Sequence, residues 1–256
     1  MTLSNQILRP RGITPGNTTY ASVILADHPV AYYRLNETGG TSAHDSSGHG
    51  NAGTILGGVT KNQQGSWMGS AAMQFDGSTG YIVIPPAFWS KQTPTNFSVE
   101  AWITHASQGV LLGGQSTSVG STPSSGWNPL LWIDGGSLYG DALSQSGSGL
   151  SGTIPGNRES SYCALVANNG RSYLYLDGQC IATKAQSPNY NNGVINYLQV
   201  GVCYAKNWNG TSGGWFYFDG NLDNLSIYFE ALSPAQIQQH YNAGRTALHM
   251  TGGITV

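Results

Sequence analysis

The chain has 256 residues and a formal net charge of -2, and only 9% of its residues are Asp, Glu, Lys or Arg, against about 25% in an average soluble domain. Its ten lysines and arginines are scattered, so it lacks the concentrated basic patch of a nucleic-acid surface. No run approaches the roughly 18 apolar residues of a membrane-spanning helix. We therefore expect neither nucleic acid nor membrane as a partner.

The first 18 residues are predicted to be an extended arm, because Pro and Gly recur at positions 10, 12, 15 and 16. A basic start followed by an apolar run is missing, so the segment is not typical of a secretory signal. The retained Met1 favours a protein that leaves the cell without a signal. Virions released by lysis meet that condition.

Most of the chain has the alternation of β-strands. Short runs rich in β-branched and aromatic residues, such as VAYYRL, YIVIP and FSVEAWI, are separated by Gly- and Asn-rich turns. In FSVEAWI, Val99, Ala101 and Ile103 are predicted to face one side of a sheet, with Glu100 and Trp102 on the other. Ten or more such strands in one chain predict an all-β sandwich or barrel.

A C-terminal helix is predicted in LSPAQIQQHYNAGR. Ser233 is a suitable N-cap, Pro234 suits the first helical position, and Gln236 completes a capping box. Gly244 is the expected end of the helix. His240 is expected to lie on its exposed face.

A second short helix is expected at YASVILAD. We take residues 1–18 as the arm, 19–244 as one domain and 245–256 as a tail.

Cys163, Cys180 and Cys203 have no metal-binding spacing, so buried free thiols are the favoured interpretation, and a single disulfide is the alternative.

Five motifs in order resemble one family. They begin with YASVILADHPVAYYRLNETGGTSAHDSSGHGNAGT and AAMQFDGSTGYIVIP, continue with FSVEAWI and CALVANNGRSYLYLDGQCIAT, and end with FDGNLDNLSIYFEALSPAQIQQHYNAG. The chain resembles the laminin-G-like branch of the concanavalin A-like lectin/glucanase superfamily. The resemblance implies a two-sheet antiparallel jelly-roll sandwich with one concave face, rim loops and a short C-terminal helix. The first motif resembles domains of bacterial surface proteins and phage head and tail proteins, which implies a phage virion protein.

Enzymatic activity is not expected, although this superfamily includes glycoside hydrolases. Hydrolysis of a glycoside needs two facing carboxylates, and none of the four glutamates lies within five positions of another. The GxSxG motif of a nucleophilic serine is also missing.

Calcium is the predicted cofactor. Asp177, Asp134 and Asp219 each precede Gly and are predicted to form turns. Asp223 is not followed by Gly and lies inside a strand-like run, so its carboxylate needs a cation or a hydrogen-bond donor as a partner. The resemblance implies that Asp76 and Asp223 join in a structural calcium site, with Asp45 close by. The alternative is that these carboxylates accept backbone N–H bonds that tie the strands together.

Glycans are the predicted ligands, since sugars need aromatic platforms and polar groups. The candidate residues lie in or beside Asn- and Ser-rich loops, and Trp208 leads because its sequence neighbours are polar. The candidates are Trp208, Asn209, Trp127, Asn128, Trp215 and Tyr139.

Two functions remain open at this point. The protein is either an adhesin on a phage virion that binds host or environmental glycans, or a capsid-decoration, head or tail-fibre protein anchored by its termini. In the second case capsid or tail subunits are its partners and any sugar site has no function. Homo-oligomerisation through the termini is compatible with both.

Overall fold

The computed structural model describes residues 19–67, 69–90, 94–144, 149–156, 159–186, 188–189, 195–211 and 213–250. The predicted arm and residues 251–256 of the predicted tail lie outside these ranges. The strands in chain order are β1 (Ala31–Tyr33), β2 (Ser42–Ala43), β3 (Gly53–Leu56), β4 (Val59–Gln64), β5 (Ala71–Asp76), β6 (Tyr81–Ile84), β7 (Phe97–Gln115), β8 (Trp127–Asp134), β9 (Ser137–Gly140), β10 (Leu150–Thr153), β11 (Ser160–Asn168), β12 (Arg171–Leu176), β13 (Gln179–Ala185), β14 (Tyr197–Val200), β15 (Val202–Tyr204), β16 (Trp215–Tyr217) and β17 (Asp219–Tyr228). The helices are α1 (Tyr20–Ala26), α2 (Ala87–Ser90) and α3 (Pro234–Met250).

The strands form two antiparallel sheets, which confirms the predicted sandwich. Sheet A has the order β13-β12-β11-β7-β17, and both β5 and β1 pair with the outer edge of β17, with β4 beyond β5. Sheet B has the order β10-β9-β8-β7-β14-β6-β3-β2. Strands β15 and β16 pair only with each other among the described residues.

Strand β7 belongs to both sheets. Its first half pairs with β11 and β17 in sheet A, and its second half pairs with β14 and β8 in sheet B. Between the halves, His105 and Gly109 have positive φ angles of 51° and 104°. A Cβ at position 109 would lie 2.1 Å from the Tyr217 carbonyl oxygen, so this bend needs glycine.

The core lies between the sheets. Val99, Ala101 and Ile103 of β7 point into it, as their alternation predicts, and Phe75 and Phe218 meet there with ring centroids 5.9 Å apart. Trp102 is 1% exposed and packs on the opposite face of sheet A. The two faces of β7 therefore serve two separate apolar layers.

Two of the three Asp-Gly turn predictions are confirmed. Asp177 and Gly178 have φ angles of 51° and 79° between β12 and β13, as a tight hairpin turn requires. After Asp134 the positive φ angles fall on Gly135 and Gly136. Asp219 does not form a turn, because it is the first residue of β17 and already pairs with Gln108 of β7, with a register shift at Gly220.

Helices α1 and α3 cover the outer face of sheet A, and both were predicted. The end predicted for α3 at Gly244 was wrong, because the helix continues to Met250. A Cβ at position 244 would lie 2.4 Å from Cζ2 of Trp102. This glycine allows the helix to approach the sheet closely and does not stop it.

The three cysteines are free thiols. Cys163 and Cys203 are buried, as expected, but Cys180 is exposed because β13 is an edge strand. Within the described ranges, no helix is both long and apolar enough to cross a membrane.

Candidate functional site

The β15–β16 hairpin folds back over the outer face of sheet B. Cys203 lies directly on Gly113, where a Cβ would come within 2.5 Å of the Cys203 Cβ. The hairpin connection is closed by Ala205, whose N–H donates to the Gly214 carbonyl at 2.7 Å. This hydrogen bond fixes both ends of the connection at the base of the hairpin.

An inner aromatic layer lies between this hairpin and sheet B. Trp132 stacks on Tyr139 with centroids 5.3 Å apart and planes 9° apart, and it meets Trp208 edge-to-face at 5.6 Å. The Trp132 indole N–H donates to the Asn209 carbonyl at 2.9 Å. Trp208 is only 6% exposed, so its polar neighbours in sequence do not place it at the surface.

An outer aromatic row runs along the hairpin. Trp127, Tyr204 and Trp215 make successive edge-to-face contacts at 5.3 and 5.6 Å. Each is half-buried. The Trp127 indole N–H donates to the Lys206 carbonyl at 3.3 Å, and the Tyr204 N–H donates to Oε1 of Gln115 at 3.1 Å. The rings are accessible on one side and fixed on the other, and we call them the aromatic row.

The predicted glycan residues are thus divided by the fold. Trp127 and Trp215 lie in the aromatic row, and Asn209 is exposed beside the inner layer. Tyr139 is half-buried against Trp132, while Asn128 is fully buried. Tyr204 joins the two tryptophans although the sequence analysis did not single it out.

Asp76 holds the turn after β5. Its carboxylate accepts the N–H groups of Ser78, Thr79 and Gly80 at 3.0, 2.8 and 2.8 Å, and the hydroxyls of Ser78 and Thr79. Burial acts to raise the pKa of this carboxyl, but the hydrogen bonds outweigh it and hold the pKa well below its usual range.

Asp223 is 1% exposed within β17. It accepts the Ser66 N–H at 2.8 Å and the Ser66 hydroxyl at 3.0 Å. Burial raises the pKa of Asp223 to about 7, against these hydrogen bonds. Asp223 therefore ties the turn after β4 to sheet A.

The three predicted calcium ligands do not meet. Asp76 and Asp223 lie at opposite ends of the β4–β5 pair, beside Gly58 and Gly65 respectively. Asp45 accepts the N–H groups of Tyr32, Ser47 and Asn51 instead. All three carboxylates thus behave as the alternative interpretation describes, and in the part of the chain that the structure describes no three His, Cys, Asp or Glu side chains gather as metal ligands.

A different carboxylate lies in a cluster of buried polar side chains. Asp141 is fully buried at the rim between the sheets and accepts the Ser144 N–H at 2.7 Å, the Ser144 hydroxyl and the Gln186 side-chain amide. The Asn128 amide donates to the Asp141 carbonyl at 3.4 Å. Oδ1 of Asn128 and Oε1 of Gln186 are buried without a hydrogen-bond partner. Carboxylate and amide oxygens are the types of ligand that calcium prefers, but the amide N–H groups, and not these oxygens, make the contacts with Asp141.

A second buried polar group lies under the helices. Glu100 is fully buried and accepts hydrogen bonds from the hydroxyls of Tyr162 and Tyr228. His240 is 0% exposed, so the predicted exposed position was wrong. Its Nδ1 lies 2.9 Å from Glu100, and its Nε2 lies 2.9 Å from Asp27.

Comparison with known proteins identifies the family of this fold. Residues 76–238 match the family model described as the concanavalin A-like lectin/glucanases superfamily. The chain belongs to that superfamily. A search of curated proteins finds no significant match.

Solved structures support the same superfamily fold. The binding domain of botulinum neurotoxin D/C, in complex with rat synaptotagmin II, is 13% identical with a TM-score of 0.60, over 86% of this chain and 52% of that one. A Trypanosoma rangeli sialidase in complex with 2,3-difluorosialic acid is 14% identical with a TM-score of 0.56, over 86% of this chain and 34% of that one. The chain thus spans about half of the first relative and a third of the second, and the likeness is one of fold.

Within this concanavalin A-like domain, the sequence predicted some site residues better than others. The tryptophans were visible by type, but their exposure depends on where the β15–β16 hairpin folds. His240 lies between Ile237 and Tyr241, at positions that share a helix face with Gly244. The i, i+3, i+4, i+7 spacing of residues 237, 240, 241 and 244 could have predicted that His240 is buried.

Proposed function

We propose that the protein is a non-catalytic lectin-like module that binds glycans on the aromatic row. The observation that carries this proposal is the row itself, in which three half-exposed rings are held side by side on a hairpin packed against sheet B. Rigid aromatic rings give large contact area at little entropic cost. Exposed Lys206, Asn207 and Asn209 at its border supply polar groups for sugar hydroxyls.

The superfamily relationship is consistent with this role. Among the structural neighbours are a botulinum neurotoxin D/C binding domain in complex with SialylT and a botulinum neurotoxin type C protein whose cell entry depends on two ganglioside molecules. Those ligands belong to those proteins. They support a glycan as the ligand class for this chain and no particular sugar.

Glycan-array binding followed by titration tests this proposal. Trp215→Ala and Tyr204→Ala should each weaken binding by about 1–2 kcal/mol, or roughly five- to thirty-fold. Tyr173→Ala, which removes a half-buried ring from sheet A, is the matched control and should bind like the wild type. Equal losses in all three variants, or no binding to any glycan, would contradict the proposal.

The non-catalytic nature of the site is part of the proposal. Glu100 is sealed under the helices, and Asp76 and Asp223 are both used by hydrogen bonds at opposite ends of one strand pair. Incubating the protein with the polysaccharide that it binds, followed by reducing-end analysis, should give no cleavage. Sustained cleavage that purifies with the protein would overturn this part.

We place the protein on the surface of a phage virion, an inference from its first motif. The alternative remains a decoration or fibre protein held by its termini to capsid or tail subunits. Purified particles would distinguish them. A variant lacking residues 1–18 that detaches from particles, in a protein that binds no glycan, would favour decoration, whereas retained attachment with glycan binding would favour an adhesin.

Calcium remains a proposal, and buried Asp141, with the amide side chains of Asn128 and Gln186 beside it, is the carboxylate at which we test it. Binding to the native state raises the melting temperature, so EDTA should lower it and calcium should restore it. Asp141→Asn should abolish that response, and Asp76→Asn should keep it. A melting temperature that EDTA does not change would reject the metal.

A further inference from the structure

His240 has a carboxylate at each of its ring nitrogens and no exposed surface. The three partners come from distant parts of the chain. Asp27 is the C-cap of α1, Glu100 lies on β7, and His240 lies on α3. One imidazole therefore joins both covering helices to sheet A.

The two contacts favour one protonation state of the ring. A carboxylate oxygen accepts hydrogen bonds, so Nδ1 facing Glu100 and Nε2 facing Asp27 both make a hydrogen bond when each carries a hydrogen. A neutral imidazole would present a lone pair to one of the two carboxylates. The imidazolium is the state in which both 2.9 Å contacts are hydrogen bonds.

The other titratable and charged groups on the surrounding elements are tyrosines and two arginines. They are Tyr20 on α1, Tyr32 on β1, Tyr162 on β11 and Tyr228 on β17, with Tyr241 and Arg245 on α3 itself and Arg34 acting on Tyr32. Burial raises the pKa of the first four above the usual value, so they stay neutral where histidine titrates. The hydroxyls of Tyr162 and Tyr228 donate to Glu100, on the same carboxylate that His240 contacts.

We propose that the Asp27–His240–Glu100 bridge is a proton-dependent latch, in which the imidazolium holds α1 and α3 on sheet A and its deprotonation as the pH rises releases both helices while the sandwich stays folded. Helix α1 has seven residues, too few to be stable in water without docking. The core between the sheets is a separate apolar cluster that does not include the bridge.

The direction of the pH effect follows from the contacts. Burial acts to lower the pKa of His240, but Glu100 and Asp27 outweigh it, and the pKa lies above the usual value of 6.5. The docked state therefore binds a proton that the released state gives up. Its extra stability is present below about pH 6.5 and is lost as the pH rises through the raised value.

Hydrogen exchange measured across pH 6 to 10, after correction for the intrinsic rate, tests the latch. The opening constant of α1 and α3 amides should rise with pH in the wild type, by up to tenfold per pH unit for one linked proton. In His240→Gln this slope should vanish. His44→Gln, which changes an exposed histidine, should keep it.

Asp223 also titrates near neutral pH and in the same direction, so the location of the effect matters. Its contribution should appear at the turn after β4, where Ser66 donates to it, and should disappear in Asp223→Asn with the helix slope unchanged. If the opening constants of β7 and β11 amides rise with pH as steeply as those of the helix amides, the whole domain unfolds, and the latch proposal is wrong. Persistence of the helix slope in His240→Gln would overturn it too.

If the helices of His240→Gln do not dock at any pH, that variant cannot report on the latch. A second measurement therefore uses the wild-type protein. NMR titration of the His240 ring carbon should give a midpoint above 6.5, together with exchange broadening of α1 and α3 amides at the same pH. A midpoint at or below 6.5, or helix signals unchanged through the titration, would reject the proposal.

Discussion

The outer face of sheet A and the outer face of sheet B are both covered, the first by α1 and α3 and the second by the β15–β16 hairpin. Under the helices, the carboxylate of Glu100 has three hydrogen-bonding side chains around it. On the other face, both amide atoms of Gln199 are buried without a partner. Gln199 stands between core residues of β14 and opposite Gly113, at the foot of the hairpin.

Glu100 has its partners within the fold, whereas fully buried Gln199 has none, and on the helix-covered face the buried Ser226 hydroxyl lacks one too. A satisfied buried polar group adds rigidity, and an unsatisfied one costs free energy. The half-exposed rings of the aromatic row lie on the hairpin side. We therefore expect substitutions under the helices to change folding and substitutions along the aromatic row to change binding.

The largest effect is expected from Glu100→Ala. The change leaves a buried imidazolium and two tyrosine hydroxyls without their shared acceptor, and should lower the free energy of unfolding by about 3–5 kcal/mol. Urea denaturation would measure it. Trp215→Ala on the other face should cost less than about 1 kcal/mol, and equal costs would remove the contrast between the faces.

Gly244→Ala should follow in size. An exposed helical glycine gains about 1 kcal/mol on this change, but here the added Cβ meets the Trp102 ring. We expect the steric cost of overpacking to exceed that gain, so that the free energy of unfolding falls by about 1–3 kcal/mol. Stabilisation in thermal melts would show that α3 does not lie this close to the sheet.

Gln199→Met should act in the opposite direction. Removing an amide that has no partner relieves a desolvation cost, so we expect a gain of about 1 kcal/mol. Chemical denaturation checks the sign. A clear loss of stability would mean that Gln199 has a partner in solution, such as an ordered water.

The smallest effect is expected at exposed Asp76. Its depressed pKa means that the hydrogen-bonded carboxylate stabilises the fold above its usual pKa of about 4, and that this is lost as the pH falls through the depressed value. Asp76→Asn should flatten the acid side of the stability curve slightly. If the loss of stability at low pH is the same in Asp76→Asn as in the wild type, other carboxylates cause it.

Local signals in the sequence predicted the strands, the α3 cap and the hairpin at Asp177, because alternation, capping and positive φ act within a few residues. They could not predict Trp208 or Asp141, whose burial depends on a hairpin and a rim loop meeting distant strands. Gly244 was misjudged because close approach and helix termination favour the same residue. The separation of Asp76 from Asp223 likewise depends on strand order, which no local pattern contains.

Strand β7 gives the sandwich a mechanical property. Because its 19 residues pass from one sheet into the other, the sheets cannot be pulled apart as two plates without unzipping the hydrogen-bonded ladders on both sides of this strand. A load applied to the aromatic row would pass through β8 and β7 into sheet A. Force applied to one sheet is therefore shared with the other.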